Sequence, residues 1–290
     1  MPQHPAPPTD LSGLVDAYEQ TARAVIDLGQ TLSARDFERP TECPGWNVKD
    51  QFSHIAGLEG WLDGAKPPRL DLGDLTDLPH VKNEQGEFIE LFVQERRARE
   101  GADIVGEMED ILQSRLAMLR DAELTEDTAV RGPFGRTTAM KMLTLRTIDI
   151  WVHEQDIRTA TGRPGDLDTA AAAMFTRAVI DVFPRIVAHD AKVPVGHAVI
   201  LDVSGPVVAR AGARVVLDAD RKMWGEELFT GESHGEDTAS APTETTSINL
   251  STDALTRRAA GRRSVDDLVY AVNGDEDVAR DVLDHLVITH

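Results

Sequence analysis

Residues 11–32 place Leu14, Val15, Tyr18, Ala22, Val25, Ile26 and Leu32 close to a 3.6-residue period, which predicts an amphipathic helix. Residues 41–47 then read Thr-Glu-Cys-Pro-Gly-Trp-Asn. Pro-Gly is a turn signal, and Asn47 with Asp50 three positions on has the form of a helix N-cap, so a second helix is predicted over 47–63. Residues 66–83 hold three prolines and an alternation of Asp and Leu, the pattern of a loop. One or two helices are expected across 88–120, with a break at Gly101. Another is expected over 137–161, stopped by Gly162-Arg163-Pro164-Gly165.

Beyond that point the pattern changes. A helix is expected from 168 to 188, kinked or ended by Pro184. Residues 197–203 are rich in Val, Ile and Leu and read as a strand; 207–217 read as a hairpin. Residues 247–251 and 268–272 read as further strands, and Gly274-Asp275 opens a last helix towards Leu286. Residues 231–246 carry Thr, Ser, Glu and Gly with almost nothing apolar, and are expected to be a mobile loop. No internal repeat is present. The predicted architecture is mixed: an N-terminal four-helix bundle over 10–165, then a smaller α+β domain over 166–290.

Composition narrows the function classes. Apolar residues make up 41% and charged residues 28%, and no run approaches the roughly 18 apolar residues a membrane helix needs. Thirty basic against fifty acidic residues give a net charge of −20. A field of that sign repels phosphate backbones and anionic lipid heads, so neither nucleic acid nor a membrane surface is an expected partner. One cysteine, Cys43, allows no intrachain disulfide, and residues 1–10 have four prolines and no apolar core, so no signal peptide is expected there. A reducing cytoplasm is the expected compartment. The composition leaves oligomeric state open.

The candidate chemistry lies on the helix predicted over 137–161. On a helical wheel Lys141, Thr144, Thr147, Glu154, Gln155 and Arg158 share one polar sector, expected to face water. Trp151 and Ile148 interrupt it. Arg146, Asp149, His153 and Asp156 form a second polar row, flanked by Leu143, Leu145, Ile150, Val152 and Ile157. A polar row on the inward side of a bundle must be paired, or it costs several kcal/mol. Asp149 and His153, four apart, can reach one cation, and His54 on the second helix is the best third ligand. Two nitrogens and one carboxylate oxygen leave a fourth zinc position open, the arrangement of a catalytic site. A plain ion-pair row, Arg146 with Asp149 and His153 with Asp156, accounts for the same pattern without metal.

Other motifs drop out. His153-Glu154-Gln155-Asp156-Ile157 opens like a zinc-protease helix, but Ile157 stands where the second histidine belongs. There is no Gly-x-Ser-x-Gly elbow and no phosphate-binding glycine loop. Cys43 sits at a helix entrance, where a thiolate is stabilised, yet a lone cysteine in a turn reads first as packed and inert.

Two stretches together resemble a known family. Thr41-x-Cys43-Pro44-Gly45-Trp46-Asn47-Val48-x-Asp50, followed by His54, is similar to the start of the mycothiol-dependent maleylpyruvate isomerases, within the wider DinB-like metalloenzymes. Arg146-x-x-Asp149-x-x-Val152-His153-x-x-Asp156-Ile157-Arg158-x-Ala160-Thr161-Gly162-Arg163-Pro164 resembles a second signature. Gly261-Arg262 to Gly274-Asp275, ending Val282-Leu283-x-x-Leu286, looks like that family's sterol-carrier-like C-terminal domain.

The resemblance implies a divalent metal, usually zinc, held by His54, Asp149 and His153, with Asp156 placed to orient His153 and Arg146 to hold Asp149. The family usually has Glu at the Asp149 position, so this chain's carboxylate is one methylene shorter. It also implies mycothiol, the low-molecular-weight thiol of actinobacteria, as cosubstrate. Its sulfur would attack a small electrophile, giving S-transfer or cis–trans isomerisation, at a site expected between the two domains. Arg210, Arg214 and Arg221 are candidates to hold an anionic substrate. A metal-assisted hydrolase on the same bundle and a non-catalytic binding or regulatory protein are the alternatives.

Overall fold

The computed structural model describes residues 3–74, 78, 80–121, 123–133, 135–230 and 244–289. They divide into two units, one of residues 8–165 and one in which residues 3–7 join the chain from 166 onward. A two-residue strand, β1 (Gln3–His4), belongs to the second unit's sheet.

In the first unit, α1 (Leu11–Gln30) starts at Asp10, whose carboxylate accepts from Gly13 N at 2.7 Å. A single turn, α2 (Ala34–Phe37), leads to α3 (Val48–Leu62), α4 (Glu84–Arg96) and α5 (Gly101–Leu119). A hairpin of β2 (Ala129–Gly132) and β3 (Gly135–Thr138) precedes α6 (Ala139–Thr161). α1 packs on α5 and α6, and α3 packs on the same two, so these four helices form a bundle with α4 lying against α3. Tyr18, Val25, Phe52, Ile55, Ile104, Met142, Ile150 and Trp151 fill its centre. Gly29 lets the helices close up: a Cβ there would lie 2.6 Å from Val105 and 2.8 Å from Phe52.

Several expectations are corrected here. The helix read from 137 begins at Ala139, because Thr137 and Thr138 belong to a short hairpin with no apolar alternation to announce it. The break in 88–120 falls before Gly101, which opens α5. Thr147, Glu154 and Gln155, expected to face water, are buried, while Leu145, expected beside the inward row, is 45% exposed. Residues 150–157 are buried without interruption, and a helix enclosed on every side has no polar face for periodicity to find. Glu154 accepts from Arg158 Nε at 2.7 Å, and Gln155 donates to the Gly165 carbonyl at 3.2 Å.

The second unit continues with α7 (Ala170–Arg185) and a π-type turn over Ile186–Asp190. β4 (His197–Ser204), β5 (Val208–Leu217), β6 (Met223–Leu228) and β7 (Glu244–Ser251) follow, then α8 (Thr252–Ala259), β8 (Tyr270–Asn273) and α9 (Glu276–His285). The sheet order is β1-β5-β4-β7-β8, with β6 also on β5; β4 and β7 are parallel and the other pairs antiparallel.

Residues 207–217 are not a hairpin but lead into one long strand, β5, paired with β4 and β6. The segment 231–246 is strand from Glu244, which pairs with His197; residues 231–243 lie outside the described residues. Pro184 stays inside α7, one residue before its end. β6 and α8 had no counterpart in the sequence reading. Among the described residues no helix is long and apolar enough to cross a membrane.

Candidate metal centre

Two helices bring the cluster together. The capping box of Asn47 and Asp50 starts α3, with Asp50 N donating to Asn47 Oδ1 at 2.9 Å, and this sets His54 on the second turn. On α6 the three-four-three spacing aligns Arg146, Asp149, His153 and Asp156. His54 Nε2 lies 3.0 Å from Asp149 Oδ2, and His153 Nε2 lies 3.8 Å from Asp149 Oδ1. One donor atom from each of the three residues falls within 4.8 Å of the others. His54 and His153 are buried, and the Asp149 side chain is 35% exposed, so the cluster opens on its carboxylate side.

Arg146 and Asp156 sit on either side. Arg146 Nη1 donates to Asp149 Oδ2 at 2.7 Å. Asp156 Oδ2 is 3.6 Å from His153 Nδ1, whereas Gln51 Oε1 is 2.5 Å from that nitrogen. The hydrogen-bond partner of His153 is therefore Gln51, one turn before His54 on α3. Trp46 packs its indole against both imidazoles, with ring centroids 5.2 Å from His54 and 5.7 Å from His153. The buried carboxylate of Glu90 receives the indole Nε1–H at 3.0 Å, and also contacts His80 at 3.1 Å and Arg97 at 3.2 Å.

Behind Arg146 lies a buried charge network. Arg146 Nε donates to Glu59 Oε1 at 2.6 Å; Arg115 Nε and the Tyr18 hydroxyl donate to Glu59 Oε2 at 3.1 and 2.6 Å. Burial raises the Glu59 carboxyl, but Arg146 and Arg115 outweigh it and hold the group below the usual carboxylate range. Burial likewise raises Asp149, and Arg146, His54 and His153 together pull it well below its ordinary value. Burial pushes His54 down to about 4 against the opposing pull of Asp149.

His54 is thus neutral and Asp149 ionised at neutral pH, the states in which each offers a lone pair to a cation. Tetrahedral zinc with bonds of about 2.0–2.2 Å sets its ligand atoms about 3.3–3.6 Å apart. One donor atom from each residue lies within 4.8 Å of the others, and two imidazole nitrogens with a carboxylate oxygen are ligand types zinc takes, so the donor set fits a divalent ion. Among the described residues His54 Nδ1 is buried with no hydrogen-bond partner, so the polar contacts of that ring all lie on the cluster side.

The other candidates are placed elsewhere. Cys43 is half-buried in the turn before α3, its carbonyl accepting from Trp46 N. Arg214 is tied to Glu226 at 2.5 Å, and Arg210 to Asp202 at 3.2 Å with its guanidinium 4.9 Å from the Phe229 ring centroid. Arg221 is exposed, in a left-handed turn at φ 62°. Gln51, Glu59 and Glu90 were missed in the sequence reading; the one available signal was a buried-side polar position on a helix, at i−3 and i+5 from His54 for the first two.

Residues 18–158 match the domain family described as the mycothiol maleylpyruvate isomerase N-terminal domain. The chain is similar in fold to a crystal structure of the mycothiol-dependent maleylpyruvate isomerase, with a TM-score of 0.53 and 12% identity over 91% of this chain and 93% of that one. A histidine-to-alanine mutant crystal structure of that isomerase gives a TM-score of 0.50 at 12% identity and the same coverage. No curated protein matches the chain.

Proposed function

The chain belongs to the mycothiol-dependent maleylpyruvate isomerase family, and on that premise we propose a metal-dependent enzyme that uses mycothiol against a small electrophilic substrate. The observation that carries this reading is the convergence of His54, Asp149 and His153 from two helices onto donor positions that one ion can share. Zinc bound there would supply Lewis acidity, which makes a thiol a thiolate at neutral pH.

The chain's own residues do the positioning. Arg146 anchors the Asp149 carboxylate through Oδ2, and Gln51 holds the His153 ring by its far nitrogen. Trp46 packs against both imidazoles, while Asp149, its side chain 35% exposed, marks the open approach. Sulfur added to an electron-poor double bond leaves a single bond free to rotate. Expulsion of the same sulfur then restores the double bond as the other isomer, and an adduct that persists is S-transfer. We read the unit from 166 onward as the family's sterol-carrier-like domain, and a reducing cytoplasm as the compartment.

A second reading has its own observation. Asp149 Oδ2 already receives Arg146 at 2.7 Å and His54 at 3.0 Å, so an ion-pair network satisfies the carboxylate without metal, as a binding or regulatory protein would require. Metal analysis with a thiol-dependence assay separates the two. About one zinc per chain, lost in His54→Ala and His153→Ala, with turnover that needs added mycothiol, is expected. A folded protein that takes up no divalent metal would end the enzymatic reading, and turnover without thiol would point to hydrolysis.

A further inference from the structure

The conspicuous turn before α3 has a hydrogen-bond pattern that reaches the cluster. Thr41 N donates to the Trp46 carbonyl at 3.2 Å and Trp46 N to the Cys43 carbonyl at 3.2 Å, closing residues 41–46 into a compact loop. Gly45 turns it at φ 78°, where a Cβ would strike the His80 ring. The loop aims the Thr41 hydroxyl at Gln51, and Gln51 is fully buried beside His153.

We propose that Thr41 and Gln51 form a positioning relay that fixes the ring proton of His153 on Nδ1 and leaves Nε2 as its lone-pair donor facing Asp149. The argument is proton counting. A hydroxyl has one proton. The Thr41 proton goes to a carbonyl, that of Trp46 at 2.8 Å, with the Cys43 carbonyl farther off at 3.4 Å. Its oxygen is left as an acceptor, and receives Cys43 N at 3.2 Å and Gln51 Nε2 at 2.9 Å. That selects one of the two amide orientations of Gln51, with nitrogen towards Thr41 and oxygen towards His153. Gln51 Oε1 has no proton to give, so the proton in the 2.5 Å contact belongs to His153 Nδ1. Asp156 Oδ2, 3.6 Å from the same nitrogen, favours the same tautomer. At Nε2 the Asp149 carboxylate oxygen is 3.8 Å away, beyond hydrogen-bond reach, so Asp149 does not compete for the proton.

The tautomer follows from hydrogen bonding alone; its use in holding a metal rests on the reading above. The test separates them. Long-range 1H–15N correlations of the labelled, chelator-treated full chain report the tautomer of His153, assigned by its loss in His153→Ala and recorded well above the ordinary imidazole pKa of ~6.5. The Nδ1–H form is expected in the unmodified protein. Thr41→Val frees the amide to turn over and is expected to mix the tautomers and weaken zinc binding ~10–100-fold in chelator competition. Thr41→Ser is expected to restore both. Gln51→Met, of similar length but with no acceptor for Nδ1–H, is expected to behave as Thr41→Val. An Nε2–H tautomer in the unmodified protein, or an unmixed Nδ1–H tautomer in Thr41→Val, overturns the relay whatever the zinc affinity. A protein with the Nδ1–H pattern that binds no zinc keeps the relay and ends the metal reading.

Discussion

Glu59 is the point at which one substitution unbalances the most buried charge. Its carboxylate takes Arg146 at 2.6 Å, Arg115 at 3.1 Å and the Tyr18 hydroxyl at 2.6 Å, all at 5% exposure or less. With Asp149 on the far side of Arg146, two cations face two anions. Glu59→Gln keeps the shape and removes one anion, so Arg146 keeps Asp149 while Arg115, 1% exposed, loses the carboxylate it pairs with. It also turns an amide NH2 towards a guanidinium donor. Unpairing a buried charge in this way costs about 3–5 kcal/mol. For a domain near this size a loss of that order lowers Tm by roughly 6–20 °C.

Adding Arg115→Met to Glu59→Gln removes the excess cation and is expected to recover more than half of the loss. Urea denaturation of the metal-free single and double variants, followed by far-UV circular dichroism, gives the coupling energy. A coupling of at least ~2 kcal/mol is expected for groups this close. A Glu59→Gln protein within ~0.5 kcal/mol of the unmodified one, or a cycle with no coupling, would refute the charge-balance argument.

Acid should destabilise the metal-free protein through His54. Its folded-state pKa, pushed down to about 4, lies below the ordinary 6.5, so between those values the unfolded chain binds the extra proton and stability falls as pH falls. The loss amounts to about 3 kcal/mol at most. Urea midpoints followed across that window should drop less steeply in His54→Leu, and parallel curves would count against a buried neutral imidazole. In the second unit, Gly225→Ala should destabilise by ~1–3 kcal/mol, because its Cβ would meet the backbone carbonyl of Pro184, which cannot turn aside. Gly106→Ala, exposed within α5 with nothing within 4 Å of the new Cβ, should stabilise by ~0.5–1 kcal/mol; thermal melts that fail to show opposite signs would contradict this packing.

Much of the helical framework was readable residue by residue. Asn47 and Asp50 announce the start of α3, and Gly162, left-handed at φ 67°, ends α6 where the Gly-Arg-Pro-Gly stretch predicted. The α6 row of Arg146, Asp149, His153 and Asp156 was legible from spacing, and His54 from its place on the second helix, at the edge of the apolar stripe of Ile55, Leu58 and Leu62. The β2–β3 hairpin and β6 were not, because short or polar strands take their stability from partners and leave little local pattern.

The site divides along the same line. Which side chains lie on one helix face is a matter of 3.6-residue geometry, and the chain alone sets it. Which atoms satisfy them is settled by neighbours far away in the chain: Gln51 meets His153 across 102 positions, and Glu59 meets Arg146 across 87. Asp156, three residues from His153, looked the natural partner on the helix, yet the packing of α3 brings Gln51 closer. A buried polar group takes the partner that packing puts within 3 Å, and no local periodicity encodes that choice.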